Sequence, residues 1–150
     1  MPDLFNESQI KGIKCELECA LKFIEQGFIV SVPYGNTSRY DLLVDGGNGK
    51  YFRVQCKTAH QNENGSYTIN TANQQFTASA RNVKYYDSSQ IEFICSIIED
   101  QLVVIPVELV AHCKSKIFRS RNFPPLNNSC NSTCNWIENY TIKKQILPLL

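Results

Sequence analysis

No stretch of this chain approaches the roughly 18 consecutive apolar residues needed to cross a membrane as a helix. A soluble domain is therefore expected. The opening residues Met1-Pro2-Asp3-Leu4-Phe5-Asn6-Glu7 lack the basic and apolar segments of an export signal, and a cytoplasmic location is expected from that. An excess of charge is missing too: 15 Lys and Arg stand against 14 Asp and Glu. Net charge alone thus names no polyanionic partner, and only its distribution is informative. Repeats and linker-like stretches are absent, so residues 1–150 read as one domain, long enough for a real core. Cysteine is plentiful, but an even number for pairing is lacking. Seven cysteines fit free thiols in a reducing compartment better than a disulfide framework. A hydrophobic content of 43% excludes the disordered class.

What is present starts with Arg39-Tyr40-Asp41-Leu42-Leu43-Val44-Asp45, a turn Gly46-Gly47-Asn48-Gly49, and Tyr51-Phe52-Arg53-Val54-Gln55-Cys56-Lys57. Both arms alternate. Tyr40, Leu42 and Val44 share one face of the first arm, as Phe52, Val54 and Cys56 do on the second. The opposite faces hold Asp41, Leu43 and Asp45, and Arg53, Gln55 and Lys57. The two apolar faces must coincide, because a one-residue slip would send one of them into solvent. With a loop of about five residues, Leu42 pairs with Val54 and Asp41 lies opposite Gln55, roughly 5 Å away at Cβ. Lys57 is then the diagonal neighbour. A carboxylate, an amide oxygen and an ammonium on one sheet face suit a cation, a water and a phosphodiester. An ordinary solvated hairpin face is also polar, and on the hairpin alone the two readings stand level.

A helix is expected before the hairpin, from Gln9 to Gln26. Ile10, Ile13, Leu17, Ala20, Leu21 and Ile24 recur at helical spacing and are expected to form its buried stripe. Glu16 lies about 90° from the centre of that stripe, at an edge from which it can reach inward beside a sheet. Glu18 and Glu25 lie at similar angles on the other flank. Periodicity thus permits Glu16 as a site residue without selecting it.

Taken together, Lys11-Gly12 with Glu16, Gly27-Phe28-Ile29-Val30, Val32-Pro33 with Gly35, Tyr40-Asp41-Leu42, and Val54-Gln55-Cys56-Lys57-Thr58 resemble the PD-(D/E)XK nuclease superfamily over about residues 9–107. Within it the pattern is most similar to homing endonucleases of cyanobacterial group I introns, and more distantly to archaeal Holliday-junction resolvases. The stretches Tyr85 to Ile98 and Leu102 to Glu108 resemble the last two strands of those proteins. The resemblance implies an α/β fold with a restriction-endonuclease-like core, a central mixed β-sheet flanked by helices. It implies Glu16, Asp41 and Lys57 as catalytic residues. One position departs: Gln55 stands where the superfamily usually has Asp or Glu. The implied cofactor is Mg²⁺, held by Asp41, Glu16, the amide oxygen of Gln55 and the backbone carbonyl of Cys56, with waters completing an oxygen shell. The implied reaction is sequence-specific hydrolysis of both strands of double-stranded DNA. Two alternatives stand beside it: a junction-resolving nuclease, and a non-catalytic nucleic-acid-binding protein with a decayed site.

Charge distribution adds DNA-contact candidates. Around residues 112–135, Lys114, Lys116, Arg119 and Arg121 sit among Asn, Ser and aromatic side chains. Asn73, Gln75, Arg81 and Lys84 form a second group, and Arg53 shares the polar hairpin face with Gln55 and Lys57. A helix is expected through about Gln75 to Tyr86, strands at about 28–33, 67–69, 91–98 and 101–107, and a short helix from Glu108 to Lys114. His112, Cys113, Cys130 and Cys134 suggest zinc only weakly, because their spacing is irregular. Alternation turns Cys56 to the apolar face, which argues against a thiol nucleophile paired with His60. One Asp41–Lys57 site cuts one strand, so a homodimer or homotetramer is expected.

Overall fold

The structure, a computed structural model, describes residues 4–35, 38–76, 81–126 and 134–150, without the side chains of 74–76 and 81. In chain order the elements are α1 (Glu7–Glu25), β1 (Ile29–Ser31), β2 (Leu42–Gly47), β3 (Lys50–Cys56), β4 (Ala59–Gln61), β5 (Tyr67–Asn70), β6 (Ala72–Phe76), β7 (Arg81–Tyr85), β8 (Phe93–Ile98), β9 (Gln101–Pro106), β10 (Ser115–Phe118) and the one-turn α2 (Ile142–Gln145).

Helix α1 begins where Asn6 closes a capping box: its Oδ1 accepts from the Gln9 amide, and Gln9 Oε1 accepts from the Asn6 amide, both at 2.9 Å. It ends at Gly27, whose φ of 89° suits a residue without Cβ. Its orientation corrects the expected stripe. Cys15, Cys19 and Phe23 face the sheet and are buried, with Ala20 of the expected stripe packed against the same core, whereas Ile10, Ile13, Leu17, Leu21 and Ile24 are exposed. Periodicity identifies an apolar face but not the surface that covers it, and here the opposite, narrower face meets the sheet.

The central sheet runs β1-β2-β3-β8-β9, with β3 and β8 parallel and every other pair antiparallel. Leu42 pairs with Val54 as the hydrophobic pattern requires, but the connection is tighter than a five-residue loop. Asn48 and Gly49, at φ 53° and 76°, make a two-residue turn, and the extra residue is taken up as an irregularity between Asp45 and Gly47. Strands β8 and β9 are buried on both faces, which explains their unbroken apolar runs.

One face of this sheet packs on α1 and, through Ile142 and Ile146, on the C-terminal segment. The other packs mainly on a three-stranded sheet of order β10-β5-β4, through Ile69 and Phe118, with Ile137 of a 3-10 turn (Ile137–Asn139) beside them. Among the described residues the α-helices therefore lie on one face of the sheet. The helix expected at 75–86 is instead the β6–β7 ribbon, with Asn73 opposite Lys84 and Gln75 opposite Asn82. Strand pairing outweighs local preference in a segment without a strong helical period. The helix expected from Glu108 to Lys114 is a single 3-10 turn, Val107–Leu109, after which the chain enters β10.

Candidate active site

Asp41 sits immediately before β2, its amide donating to the Val54 carbonyl at 2.9 Å. That anchor aims its carboxylate across the hairpin. Asp41 Oδ2 accepts from Gln55 Nε2 at 2.6 Å and from the Cys56 amide at 2.7 Å. Lys57 leaves the end of β3 pinned by its own amide to the Cys95 carbonyl of β8 at 2.9 Å. Its Nζ donates to Asn73 Oδ1 at 2.8 Å and lies 5.4 Å from the centre of the Tyr86 ring. From α1, half-buried Glu16 comes near enough for the Asp41 charge to affect its ionisation. The four residues read from the sequence thus occupy one end of the hairpin, beside the helix flank.

Electrostatics follow from crowding like charges in a partly dry place. Burial raises the Glu16 pKa, and the Asp41 charge raises it further. Burial also raises that of Asp41, against the lowering effects of the Cys56 amide and of Lys57. Lys57 is shifted down by burial despite Asp41, with Arg39 adding to the decrease. Two carboxylates that resist ionisation, next to an ammonium that resists protonation, are a charge set that a cation and a phosphate would relieve.

Three further residues belong to this cluster. Arg39 lies 5.1 Å from the centre of the Tyr86 ring, gives Nη2 to Gln90 Oε1 at 3.0 Å, and keeps a buried Nε that no acceptor among the described residues meets. Tyr86 is buried, with its hydroxyl pKa pushed up to about 12 by desolvation. Gln90 holds Arg39. Alternation does place Arg39 on the Asp41 face, so a signal for it existed. Tyr86 carried none, because its position depends on where the β6–β7 ribbon ends.

The DNA-contact candidates divide. Arg53 is committed internally: it pairs with Glu92 and donates to the carbonyls of Ser89, at 2.6 Å, and Ser88, at 3.1 Å. Arg119 donates to the carbonyls of Asn64 and Phe123. Arg121 pairs with Glu138 at 2.6 Å and stacks 3.8 Å from the Trp136 ring centre. Lys84 and Lys114 are exposed, and Lys116 is half-buried on β10. The side chains of Gln75 and Arg81 lie outside the described residues, as does 127–133 of the basic segment. A groove of about 500 Å³, lined in part by Lys11, Lys57, His60, Asn70 and Asn73, runs from the site between the start of α1 and the ribbon.

The donor set fits a hard divalent cation. Glu16, Asp41 and the Cys56 carbonyl offer oxygens, and both hydrogen bonds to Asp41 fall on Oδ2, leaving Oδ1 for an ion. Among the described residues no three His, Cys, Asp or Glu side chains gather as ligands, and His112 packs edge-on against Tyr85. Cys130 lies outside the described residues. Cys56 is buried in the core and His60 is exposed, with no hydrogen bond between them among the described residues.

Comparison with known proteins agrees with this geometry. No curated protein matches the chain. Among solved structures, the bacterial homing endonuclease I-Ssp6803I is similar in fold, with a TM-score of 0.72 at 17% identity over 81% of this chain and 84% of that one. The profile of the family described as PD-(D/E)XK endonuclease matches residues 6–143. With that span matched and the expected residues gathered at one end of the β2–β3 hairpin, this chain belongs to the PD-(D/E)XK endonuclease family.

Proposed function

We propose that the chain is a Mg²⁺-dependent, sequence-specific endonuclease that cuts both strands of double-stranded DNA, working as a homo-oligomer in the manner of a homing enzyme. The observation that carries this reading is the meeting of Glu16, Asp41, Gln55 and Lys57 around a partly buried carboxylate. Asp41 and Glu16, with the Cys56 carbonyl, would hold the ion. Gln55 departs from the family acid, and its amide donates to Asp41, so it orients the ligand carboxylate in place of adding a second charge. Turning that amide over would present its oxygen to the ion instead. The ion, when bound, supplies a more acidic water and offsets charge on the scissile phosphate. Lys57, steadied by Asn73 and the Tyr86 ring, stabilises the charge that develops on the phosphorus oxygens. Arg39, with its unmet Nε, faces the same locality and would hold a non-bridging oxygen.

DNA is taken up along the groove beside α1. The β6–β7 ribbon has dimensions that fit a major groove, and its Asn73–Lys84 pair would contact DNA next to the site. Lys114, Lys116 and, from the ribbon, Gln75 and Arg81 are further candidates; Arg53, Arg119 and Arg121 hold the fold. Asp41→Ala and Lys57→Ala should each abolish cleavage while leaving duplex affinity within a few-fold. Cutting retained by either variant would remove its residue from the mechanism. Offering a four-way junction beside linear duplex separates the proposed activity from junction resolution, which would cut the junction alone.

A further inference from the structure

The side of α1 turned away from the sheet carries an uncovered apolar strip. Ile10, Ile13, Leu17, Leu21 and Ile24 are 41–67% exposed. At about 100° per residue, all five fall within about 40° of Leu17 around the helix. Cys15, Cys19 and Phe23 occupy the opposite side, so α1 is apolar on both faces and its bulkier face points outward. At roughly 500 Å² the strip is as large as the largest apolar patch of a typical monomer, and such patches are often functional.

The strip is its own complement. Rotated half a turn about an axis through Leu17 and perpendicular to the helix, Ile10 comes opposite Ile24, Ile13 opposite Leu21, and Leu17 opposite itself. One flank carries Glu7, Lys11, Lys14, Glu18, Lys22 and Glu25, three charges of each sign, already joined as the pairs Lys11–Glu7, Lys14–Glu18 and Lys22–Glu25. Two such flanks meet without net repulsion, and Lys14 of one copy falls within a turn of Glu18 of the other. A neutral, aliphatic strip does not suit a polyanion. Two copies of it, fully covered, amount to roughly 1,000 Å², about the area a biological interface must clear.

We propose that α1 is the surface through which two copies of this chain pair, antiparallel about Leu17. The symmetry has a consequence for the site. Glu16 projects from the flank opposite the ion pairs, about 100° from Leu17. A two-fold axis perpendicular to both helices keeps that flank on the same side in both copies, whereas a parallel pair would turn the two sites to opposite sides. Only the antiparallel pair offers both sites to one duplex. The pairing itself is independent of the nuclease reading; this consequence rests on it.

Sedimentation of the full chain tests the proposal. The unmodified protein should run as a dimer or an even multiple of one. Leu17→Glu and Leu17→Lys, which place like charges on the axis, should each halve the assembly. Mixing those two variants should restore it. Leu17 is two-thirds exposed in a single copy, so circular dichroism should show both variants folded. Mixed Ile10→Cys and Ile24→Cys chains, oxidised and mapped by mass spectrometry, should yield 10–24 links. A monomeric unmodified protein at micromolar concentration, an unchanged mass for Leu17→Glu, or links restricted to 10–10 and 24–24 would overturn the proposal. Nicking by Leu17→Glu, with loss of coupled two-strand cutting, would support the consequence for the site; a fully paired protein that cuts nothing would count against the nuclease reading alone.

Discussion

At the scale of residues, two half-dry carboxylates define the site. Glu16 and Asp41 bind their protons more tightly in the folded chain than an unfolded chain would. A raised carboxylate pKa gives stability that is complete below the unfolded value and disappears as pH rises through the folded one. The contribution of these two groups to the stability of the metal-free protein should therefore fall from about pH 4 upward through the carboxylate range. Asp41→Asn should flatten that fall when the two melting curves are compared in chelator; an identical pH slope in both would show that Asp41 is not under this strain. Carboxylates shifted the other way, such as Glu92 held down by Arg53, are common to both proteins and cancel in the difference. Gln55 makes a second prediction. Gln55→Glu should cut DNA and reach full activity at a lower metal concentration, because it adds a charge beside Asp41, whereas Gln55→Ala should be much poorer. A Gln55→Ala protein with unchanged Mg²⁺ dependence would leave the residue no part in holding the ligand set.

Among the elements, α1 and the β6–β7 ribbon are where sequence and structure part. Phe23→Ala should cost about 3–5 kcal/mol as a core truncation, while Leu17→Ala should cost a small fraction of that in a dissociated chain. Denaturant titration reads both; the reverse order would return the expected stripe to the core. The Asp41–Gln55 and Leu42–Val54 relations were legible because strand alternation fixes register once one face must be buried. Lys57 followed from the same alternation. The covering of α1 was not legible, since two apolar faces compete and only the sheet's shape decides between them. Nor was the ribbon, whose strands exist through pairing with each other and not through any period of their own. The basic segment shows a third limit. Composition counts Arg119 and Arg121 as free cations, but their partners, Asn64, Phe123 and Glu138, are set by the fold. Lys84→Ala should accordingly weaken DNA binding and lower its log–log salt slope by about one unit. Arg121→Ala should leave that slope alone and lower the melting temperature; a changed slope would return Arg121 to the interface.

For the whole molecule, the described residues gather the candidate constellation at one end of the hairpin and leave an apolar strip of α1 exposed. The hairpin supplies Asp41, Gln55 and Lys57, the helix supplies Glu16 on one flank, and the outer face of the same helix is open. On the proposed reading catalysis and assembly share α1, which would tie two-strand cutting to pairing. The central claim is that this constellation hydrolyses DNA through a cation held at Asp41. Its most direct measurement incubates the unmodified chain and Asp41→Ala with a randomised library of linear duplexes, with Mg²⁺ and with chelator, and sequences the ends produced. The unmodified protein in Mg²⁺ should give a restricted set of cut sites, and the other three reactions none. Cleavage that persists in chelator, or at full strength in Asp41→Ala, would contradict it.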